Sequence, residues 1–473
     1  MRLLPAALCL SLLGACTAST PKTPGPGDPK PEDTGTVPST TTTPVVPPPT
    51  LTAICTLDEV NALRARCTVE IDPPGPVQVA FQNADGLGGT RTHVSEESLT
   101  SHEVGLYFMT AESEIGWTAS PVSFPEVSVS GTVVTGAVPA DATLAVLSSG
   151  VSTADAFLML SPCGGGMPMV VDTSGAVLWY EEISERKIES LVLTEDDTLM
   201  IEGGVEVFHF TWMGEELYRV VPGPETLHHD LFRKDGLNYA LFKERLPLHG
   251  REYDLDGFYI FDDTGAVLYD WHLIDHIVPP DDPDLGDGNV VIDYSHSNGL
   301  FVDDDGDVFL SIRHLSTVLK INGDLADPDL GEVIWTLVGD PDEADVISDF
   351  TLSSSSGFSA DFRRQHNAHL LSDGRLALFD NRVGETARAS ILTLDPAAGV
   401  ANIDQTWDTQ YSCSFQGSIW ATQTGNPVAH CAPSRAAQEF DLGGGASPTY
   451  SLTLSCQGGL STYIPRAIPL SLY

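Results

Sequence analysis

Residues 170–179, VVDTSGAVLW, form an apolar strand, a turn containing Gly175 and a second strand that carries an aromatic side chain. Residues 260–269, IFDDTGAVLY, repeat the pattern around Gly265. Weaker copies accompany Gly214, Gly331, Gly399 and Gly443. Copies spaced roughly 40 to 70 residues apart match the length of four-stranded propeller blades with loop insertions.

These repeats predict an all-β fold, with a six-bladed β-propeller over residues 140–473. Residues 51–139 alternate short β-branched runs with turn residues, which predicts a small N-terminal β-sandwich before the propeller. This segment gathers no catalytic residue types, so we expect it to be a spacer or docking module. A pair of β-sandwiches is the alternative architecture for the repeat region.

The N-terminus has the features of an export signal. A short apolar run follows Arg2, and residues 13–16, Leu-Gly-Ala-Cys, resemble a bacterial lipobox. The resemblance implies a signal segment over residues 1–16 and lipidation at Cys16, which would anchor the protein to a membrane. Residues 17–50, rich in Pro and Thr, predict an extended tether. We expect an exported, lipid-anchored protein of the cell envelope, in the outer membrane; an ordinary secretory signal is the alternative.

The charge balance argues against nucleic acid as a partner. The chain has 66 acidic and 23 basic residues, and its formal net charge is −43. Phosphate contacts need clustered Lys and Arg, which a chain of this composition does not supply overall. A local group of cationic side chains in such a protein is therefore conspicuous.

The cysteines beyond Cys9 and Cys16 are even in number, as expected for an exported protein with disulfides. They are Cys55, Cys67, Cys163, Cys413, Cys431 and Cys456. Cys55 and Cys67 are predicted to form a disulfide that closes a short local loop. Some disulfide pairing is also expected among Cys413, Cys431 and Cys456. Their spacings contain no CxxC pair, so no zinc site is predicted.

A second set of hairpin turns, containing Asp-Gly or a similar pair, lies between the aromatic repeats and predicts the inner two strands of successive blades. Counting back from three turn glycines, His228 precedes Gly236 by 8 residues, His366 precedes Gly374 by 8 and His296 precedes Gly306 by 10. Since inner propeller strands converge on the central channel, these three imidazoles are predicted to meet at one end of it. His229 adjoins His228, and an error of one residue in the register would exchange them.

The returning strands of the same hairpins carry polar side chains at matching positions. Counting forward by 7 from the turn glycines reaches Lys243, Arg313 and Asn381, which an antiparallel hairpin returns to the end occupied by the histidines. The result is a ring of donors and cations suited to a tetrahedral oxyanion group. Arg313 is the strongest candidate among the cations, because its guanidinium stays charged and its planar group can donate two parallel hydrogen bonds to sulfuryl or phosphoryl oxygens.

Several runs containing these residues resemble the active-site segments of bacterial arylsulfate sulfotransferases, in the family's order. They are residues 228–230, 293–299, 311–321 and 365–370. In that family a β-sandwich precedes a six-bladed propeller.

The resemblance also implies roles for individual residues. It implies that His366 forms a transient sulfohistidine and that His228, His296 and Arg313 bind the sulfuryl group. Asn298 matches a further polar residue beside the reacting group. His229, Lys243 and Asn381 complete the predicted substrate-binding set.

The implied activity is transfer of a sulfuryl group from an aryl sulfate to a phenol by a ping-pong mechanism, without a nucleotide sulfate donor. Aryl sulfates and phenols are thus the expected small-molecule partners. The sequence has neither a P-loop nor a dinucleotide fingerprint, and no cofactor or metal is expected. Two alternatives remain: a surface-displayed propeller that only binds an anion, and an aryl sulfate hydrolase.

Overall fold

A computed structural model of the chain describes residues 47–83, 89–163, 167–183, 188, 190–281, 291–443, 445–459 and 461–472. The predicted signal segment, Cys16 and nearly all of the predicted tether lie outside the described residues. From Pro48 onward the chain forms one compact unit. No helix among the described residues is long and apolar enough to span a membrane.

The protein is all-β. The first seven strands are β1 (Thr50–Leu57), β2 (Ala65–Asp72), β3 (Val77–Asn83), β4 (Arg91–Ser95), β5 (Ser101–Leu106), β6 (Glu114–Pro121) and β7 (Val129–Val134). They form two antiparallel sheets, with strand orders β1-β2-β5 and β4-β3-β6-β7. Alternate side chains of β2 and β3 are buried, and both sheets contribute to one apolar cluster that includes Val69, Val79 and Trp117.

The described residues that follow form six further sheets. In chain order their strands are β8 (Leu144–Gly150), β9 (Ala156–Leu160), β10 (Pro168–Asp172), β11 (Val177–Tyr180), β12 (Ser190–Leu193), β13 (Leu199–Gly203), β14 (Glu206–Phe210), β15 (Glu216–Val220), β16 (Thr226–Lys234), β17 (Leu237–Leu248), β18 (Arg251–Phe261), β19 (Val267–His272), β20 (Val291–Asp293), β21 (Ser297–Val302), β22 (Val308–Ile312), β23 (Thr317–Ile321), β24 (Val333–Val338), β25 (Thr351–Ser354), β26 (His366–Leu370), β27 (Leu376–Asp380), β28 (Arg388–Asp395), β29 (Val400–Asp408), β30 (Ser418–Ala421), β31 (Pro427–Cys431), β32 (Ala436–Glu439), β33 (Tyr450–Cys456) and β34 (Ala467–Leu470). Two short 3₁₀ helices cover Ala140–Ala142 and Leu273–Asp275.

Each of the six sheets is built on four antiparallel strands. The orders are β12-β13-β14-β15, β16-β17-β18-β19, β21-β22-β23-β24, β26-β27-β28-β29, β30-β31-β32-β33 and β34-β9-β10-β11. β20 and β25 add parallel partners to β18 and β29, and β8 joins the outer edge of β33. The last sheet combines strands from the two ends of this region, because the C-terminal strand β34 pairs with β9.

Both predicted hairpin sets are confirmed. Turns containing Gly236, Gly306, Gly374 and Gly425 join the first two strands of four sheets. Turns or loops containing Gly175, Gly214, Gly265, Gly331, Gly399 and Gly443 join the last two strands of the six sheets. First strands of successive sheets contact each other, namely β12 with β16, β16 with β21, β21 with β26, β26 with β30 and β30 with β34. Residues on these strands are thereby brought together.

Three disulfides are present. Cys55–Cys67 joins the directly paired strands β1 and β2, as predicted. Cys413–Cys431 falls within the predicted set, but Cys456 pairs with Cys163 rather than with either of those two. The sequence separation of 293 residues explains why this last bond was not foreseen, since it depends on β33, which ends at Cys456, returning to pair with β8.

Candidate active site

Three first strands, β16, β21 and β26, have bulges within or next to which their histidines lie; His296 directly precedes β21. The register of each strand with its hairpin partner shifts, between Leu227 and Leu231, between Ser297 and Gly299, and between His366 and His369. Extra residues at a bulge turn side chains out of the regular alternation. His229 and His296 have left-handed backbone conformations, with φ of 62° and 51°. Such conformations are uncommon for residues other than glycine and cluster at functional sites.

The bulges bring the rings of His229, His296 and His366 together. The centroid of the His229 ring lies 4.9 Å from that of His296 and 6.5 Å from that of His366. His228 was predicted in this position, and that register is wrong by one residue: its buried ring turns away, with Nε2 3.1 Å from Oδ1 of Asp256. A count from the turn glycine cannot detect the bulge that displaces it.

The hydrogen bonds of His366 define its tautomer. Asn381 donates from Nδ2 to the carbonyls of Cys413 and Gln416, at 3.0 and 2.7 Å, so its Oδ1 faces His366. That oxygen lies 2.7 Å from Nδ1 of His366, which must therefore carry the proton. Nε2 keeps its lone pair and accepts the Gln416 backbone N–H at 3.0 Å. Burial and the nearby charge of Arg313 lower the pKa of His366 well below its ordinary value, so the ring is neutral.

A short loop, residues 413–417, makes most of the contacts that hold this arrangement. Besides the contacts of Cys413 and Gln416 with Asn381, the Ser414 carbonyl accepts a hydrogen bond from Nη2 of Arg313 at 2.9 Å. Cys431 holds the beginning of the loop through its disulfide with Cys413. At the other end Gln416 and Gly417 have positive φ, 47° and 111°. Sequence reasoning did not identify this loop, because its contribution comes through backbone atoms.

His296 is held by a carboxylate. Its Nδ1 lies 2.5 Å from Oδ2 of Asp293, whose Oδ1 is 3.4 Å from Nζ of Lys243. Although burial opposes ionisation, the His296 hydrogen bond and the charges of His296, Lys243 and His314 hold the pKa of Asp293 far below its usual range. Asp293 therefore stays ionised and fixes Nδ1 of His296 as a donor, which leaves Nε2 available to a ligand.

The neighbouring pair His228 and His229 forms a second chain of hydrogen bonds. Nδ1 of His228 lies 2.7 Å from Nδ1 of His229, so a proton is shared between the two rings. Asp256, which is fully buried, accepts hydrogen bonds from Ser295 and Ser297. Burial raises the pKa of Asp256, but His228 and these two donors outweigh it and lower the value. Burial and the adjacent histidines lower the pKa of His229 well below its ordinary value.

Arg313 supplies a fixed charge beside the histidines. Its guanidinium is largely buried, and burial together with Arg364 lowers the pKa of Arg313 to about 10. The side chain is thus charged at neutral pH. Nε of Arg313 has no hydrogen-bond partner among the described residues. This N–H of the guanidinium is therefore left to donate to a ligand.

A narrow cleft opens onto the cluster. It is lined by His229, Asn298, His366, Gln416, Gly417, Pro465 and Arg466. Asn298 is buried and donates to the Gln365 carbonyl at 2.8 Å, while its Oδ1 has no partner in the described part of the chain. The structure thus brings together His229, His296, His366, Arg313, Lys243, Asn298 and Asn381 from the predicted set and adds Arg466, which sequence reasoning missed.

One group of donors in the described residues has the spacing of a metal site. Ligand atoms of Asp293, His296 and His314 lie within 4.8 Å of one another. Asp293 is already engaged by His296 and by the Lys243 ammonium. Burial, together with His296 and the Arg313 guanidinium, lowers the pKa of His314 to about 4. These cationic neighbours favour a bound anion over a metal cation.

The sequence matches a known family over most of its length. The family described as Arylsulfotransferase (ASST) matches residues 94–413. The chain belongs to the arylsulfotransferase family. That membership implies a sulfotransferase enzyme acting on small molecules, and the matched range contains His229, His296, Arg313 and His366. A search of curated proteins finds no match.

Solved structures give remote matches. A protein of unknown function from Bacteroides caccae is 11% identical over 67% of this chain and 99% of that chain, with a TM-score of 0.40. A catalytically inactive virginiamycin B lyase from Staphylococcus aureus is 9% identical over 63% and 86%, with a TM-score of 0.37. An aldose sugar dehydrogenase from Streptomyces coelicolor is 12% identical over 70% and 90%, with a TM-score of 0.33.

Proposed function

We propose that this arylsulfotransferase moves a sulfuryl group from an aryl sulfate to a phenol by a ping-pong mechanism, with His366 as the nucleophile. The observation that carries the proposal is the fixed tautomer of His366. Asn381 accepts the hydrogen bond from Nδ1, so the lone pair of His366 is on Nε2, at the cleft lined by His366 and Gln416. The Gln416 N–H now bonded to Nε2 would give way when sulfur arrives. A neutral imidazole with an available nitrogen suits attack on sulfur.

The reaction divides into two balanced displacements. In the first, the Nε2 lone pair of His366 forms a bond to sulfur while the bond between sulfur and the aryl oxygen breaks, releasing a phenolate. In the second, an acceptor phenolate attacks the same sulfur, and the N–S electron pair returns to Nε2. Aryl esters are the expected donors, because a phenol with a pKa near about 10 leaves far more easily than an alkyl alcohol.

The cationic side chains are proposed to stabilise the sulfuryl oxygens. By analogy with phosphoryl transfer, the transition state is loose and places charge on its equatorial oxygens. Arg313, held by the Ser414 carbonyl, would donate from its free Nε to a sulfuryl oxygen. His296, held at Nδ1 by Asp293, would donate from Nε2 when that nitrogen also carries a proton. The Gln416 N–H, which contacts Nε2 of His366 in this structure, becomes available to a sulfuryl oxygen when sulfur occupies that nitrogen.

Proton transfer is proposed to pass through His229. This ring faces the cleft, and its Nδ1 shares a proton with His228, which in turn contacts Asp256. The chain can supply a proton to the leaving phenolate and accept one from the incoming phenol. His228, predicted from sequence to touch the sulfuryl group, is instead proposed to support His229.

The finer architecture is part of the same proposal. Six four-stranded sheets whose first strands contact in succession support a six-bladed β-propeller over residues 140–473. Two antiparallel sheets with a shared apolar cluster support a β-sandwich over residues 51–139. The resemblance to a lipobox supports export and anchoring in the outer membrane, with cleavage just before Cys16, so that Cys16 stays on the mature chain and carries the lipid. Residues 17–50 would then form the tether. Loss of membrane association in Cys16→Ala tests the anchor.

A chromogenic aryl sulfate tests the activity. Turnover that depends on an added phenol supports the proposed transfer. Turnover that is independent of phenol identifies a hydrolase, and no turnover with retained anion binding identifies a binding protein. Mass spectrometry after incubation with donor alone should find the sulfuryl adduct on the peptide containing His366, and an adduct on a different residue overturns the assignment.

A further inference from the structure

We infer that Arg466 is a positioning residue that holds His229 in the orientation proton transfer requires; this inference rests on the proposed function. Arg466 lies outside the range matched by the family, which ends at residue 413. Its side chain nevertheless lines the cleft together with His229 and His366. It is the cation that the C-terminal part of the chain contributes there.

The guanidinium of Arg466 makes two directed contacts with the bulge of β16. Nη1 lies 2.6 Å from Oδ1 of Asp230, and Nη2 donates to the carbonyl of His229 at 3.2 Å. A guanidinium holds a carboxylate and a carbonyl at once through its planar fork, whereas an ammonium acts as a point charge without that geometry. The two contacts therefore fix the backbone on both sides of the peptide that joins His229 to Asp230.

Asp230 links this contact to the neighbouring strand. It is buried, and its Oδ2 accepts the Leu300 backbone N–H of β21 at 2.9 Å, while Oδ1 also accepts that of Leu231. The Asp230 carboxylate is thus shared by β16, β21 and Arg466. Loss of Arg466 would leave a buried carboxylate without its ion-pair partner, which is costly.

The conformation of His229 explains why such a clamp is needed. A left-handed backbone conformation at a residue other than glycine is unfavourable and persists only when its surroundings impose it. At φ 62° the His229 ring turns towards His296 and His366, and Arg466 holds the carbonyl of this same residue. Relaxation to an ordinary conformation would remove the ring from the cluster.

Strand pairing in the fold places Arg466 beside His229 and Asp230. The residue directly precedes β34, which pairs with β9 to complete the sheet formed by β9, β10 and β11. The pairing of the chain end with β9 therefore also completes the site.

The test compares Arg466→Lys and Arg466→Met with Arg435→Met as a matched control. Arg435 also donates to backbone carbonyls, those of Leu454 and Pro433, and lies outside the site. With unsubstituted phenyl sulfate as donor, we expect kcat to fall by about 30- to 100-fold in both Arg466 variants with KM within about threefold, because the proton-transfer step is affected. Arg435→Met should keep wild-type kcat, and guanidinium ion should partly restore turnover to Arg466→Ala.

The leaving group provides a readout that a structural role would not move. A donor whose phenol has a low pKa needs little protonation, so the loss in Arg466→Met should be small for a nitrophenyl sulfate and larger for unsubstituted phenyl sulfate. An equal loss for both donors would assign Arg466 to general stability and overturn the inference.

A measurement independent of turnover separates failure of the inference from failure of the proposed function. Ring ¹⁵N signals of His229, assigned with His229→Asn, should shift in Arg466→Met because the hydrogen bond to His228 changes, and should stay in place in Arg435→Met. Unchanged His229 signals would overturn the inference even if the wild-type enzyme proves active. Shifted signals in a protein without aryl sulfate turnover would reject the proposed function alone.

Discussion

Two hairpins with the same place in their sheets differ sharply in character. β12 and β13 pair without a register shift, and their buried side chains are mostly apolar, including Leu191 and Ile201. β26 and β27 occupy the equivalent positions, but their register shifts after His366, and Asn367 takes a left-handed conformation. A regular hairpin buries apolar side chains, whereas a bulged hairpin directs polar groups towards a site. The chemistry proposed for this protein therefore depends on departures from regular β-structure.

The largest expected effect on activity follows removal of the His366 ring. We expect His366→Asn to lower kcat by roughly a thousandfold or more, because the nucleophile is lost while Asn381 and Gln416 remain in place. Turnover of a chromogenic aryl sulfate measures the loss, and circular dichroism checks the fold. The sulfuryl adduct should be absent in this variant.

His369→Gln is the matched control for His366→Asn. His369 is a buried histidine of the same strand, and its Nδ1 lies 3.0 Å from the Asn367 carbonyl rather than against the cluster. Activity within about threefold of wild type is expected. If His366→Asn and His369→Gln lose activity equally, then facing the cleft does not distinguish the bulge residues that matter for activity, and the role given to His366 is wrong.

Replacing Arg313 with lysine tests the role of the fork. Arg313→Lys keeps the charge but cannot hold the Ser414 carbonyl and a sulfuryl oxygen in the same plane. We expect kcat to fall about a hundredfold, the usual effect of losing one directed donor to a developing negative charge. Arg245→Lys, at an exposed ion pair with Asp254, should leave the rate unchanged. A near-normal rate in Arg313→Lys would show that Arg313 supports only the strand.

The pH profile should reflect the low pKa of His366. Since burial and Arg313 lower the pKa of His366, the ring stays unprotonated to more acidic pH than an ordinary histidine would. The acid limb of kcat/KM is therefore expected below about pH 6.5, the ordinary value for histidine. In the residual activity of Arg313→Met the limb should move to higher pH. An unchanged limb in that variant would mean that another group controls the profile.

Much of this arrangement was predictable from local sequence. Turn glycines with nearby aromatic side chains identify the hairpins, because turn chemistry and strand alternation are local properties. His296, His366 and Arg313 were found by offsets from those turns. The count selected His228 where the structure has His229 facing the cluster, because the bulge in β16 adds residues that a fixed count does not include. The adjacent His229 is the alternative in that count and one of the predicted substrate-binding residues.

The parts that could not be predicted depend on contacts distant in sequence or on backbone atoms. Asp256 supports His228 from another strand, and Arg466 reaches Asp230 across 236 positions of the chain. Residues 413–417 contribute through backbone carbonyls, and the side-chain types in the sequence do not indicate which carbonyls will face a site. An ion pair that spans most of a domain becomes visible only when the sheets are assembled.

The smallest expected effect on activity comes from the regular hairpin. Ile201 is fully buried in β13, opposite Leu191 and Phe208. Ile201→Ala removes buried methyl groups and leaves a cavity, which should lower the free energy of unfolding by about 2–5 kcal/mol. Because the strand has no bulge and contributes no side chain to the cleft, kcat should stay within about twofold of wild type at a temperature where the variant is folded. Thermal unfolding and turnover, measured on the same sample, separate the two quantities. A large loss of kcat with unchanged stability would show that the regular hairpins also set the geometry of the site, and the distinction drawn between the two hairpins would then be wrong.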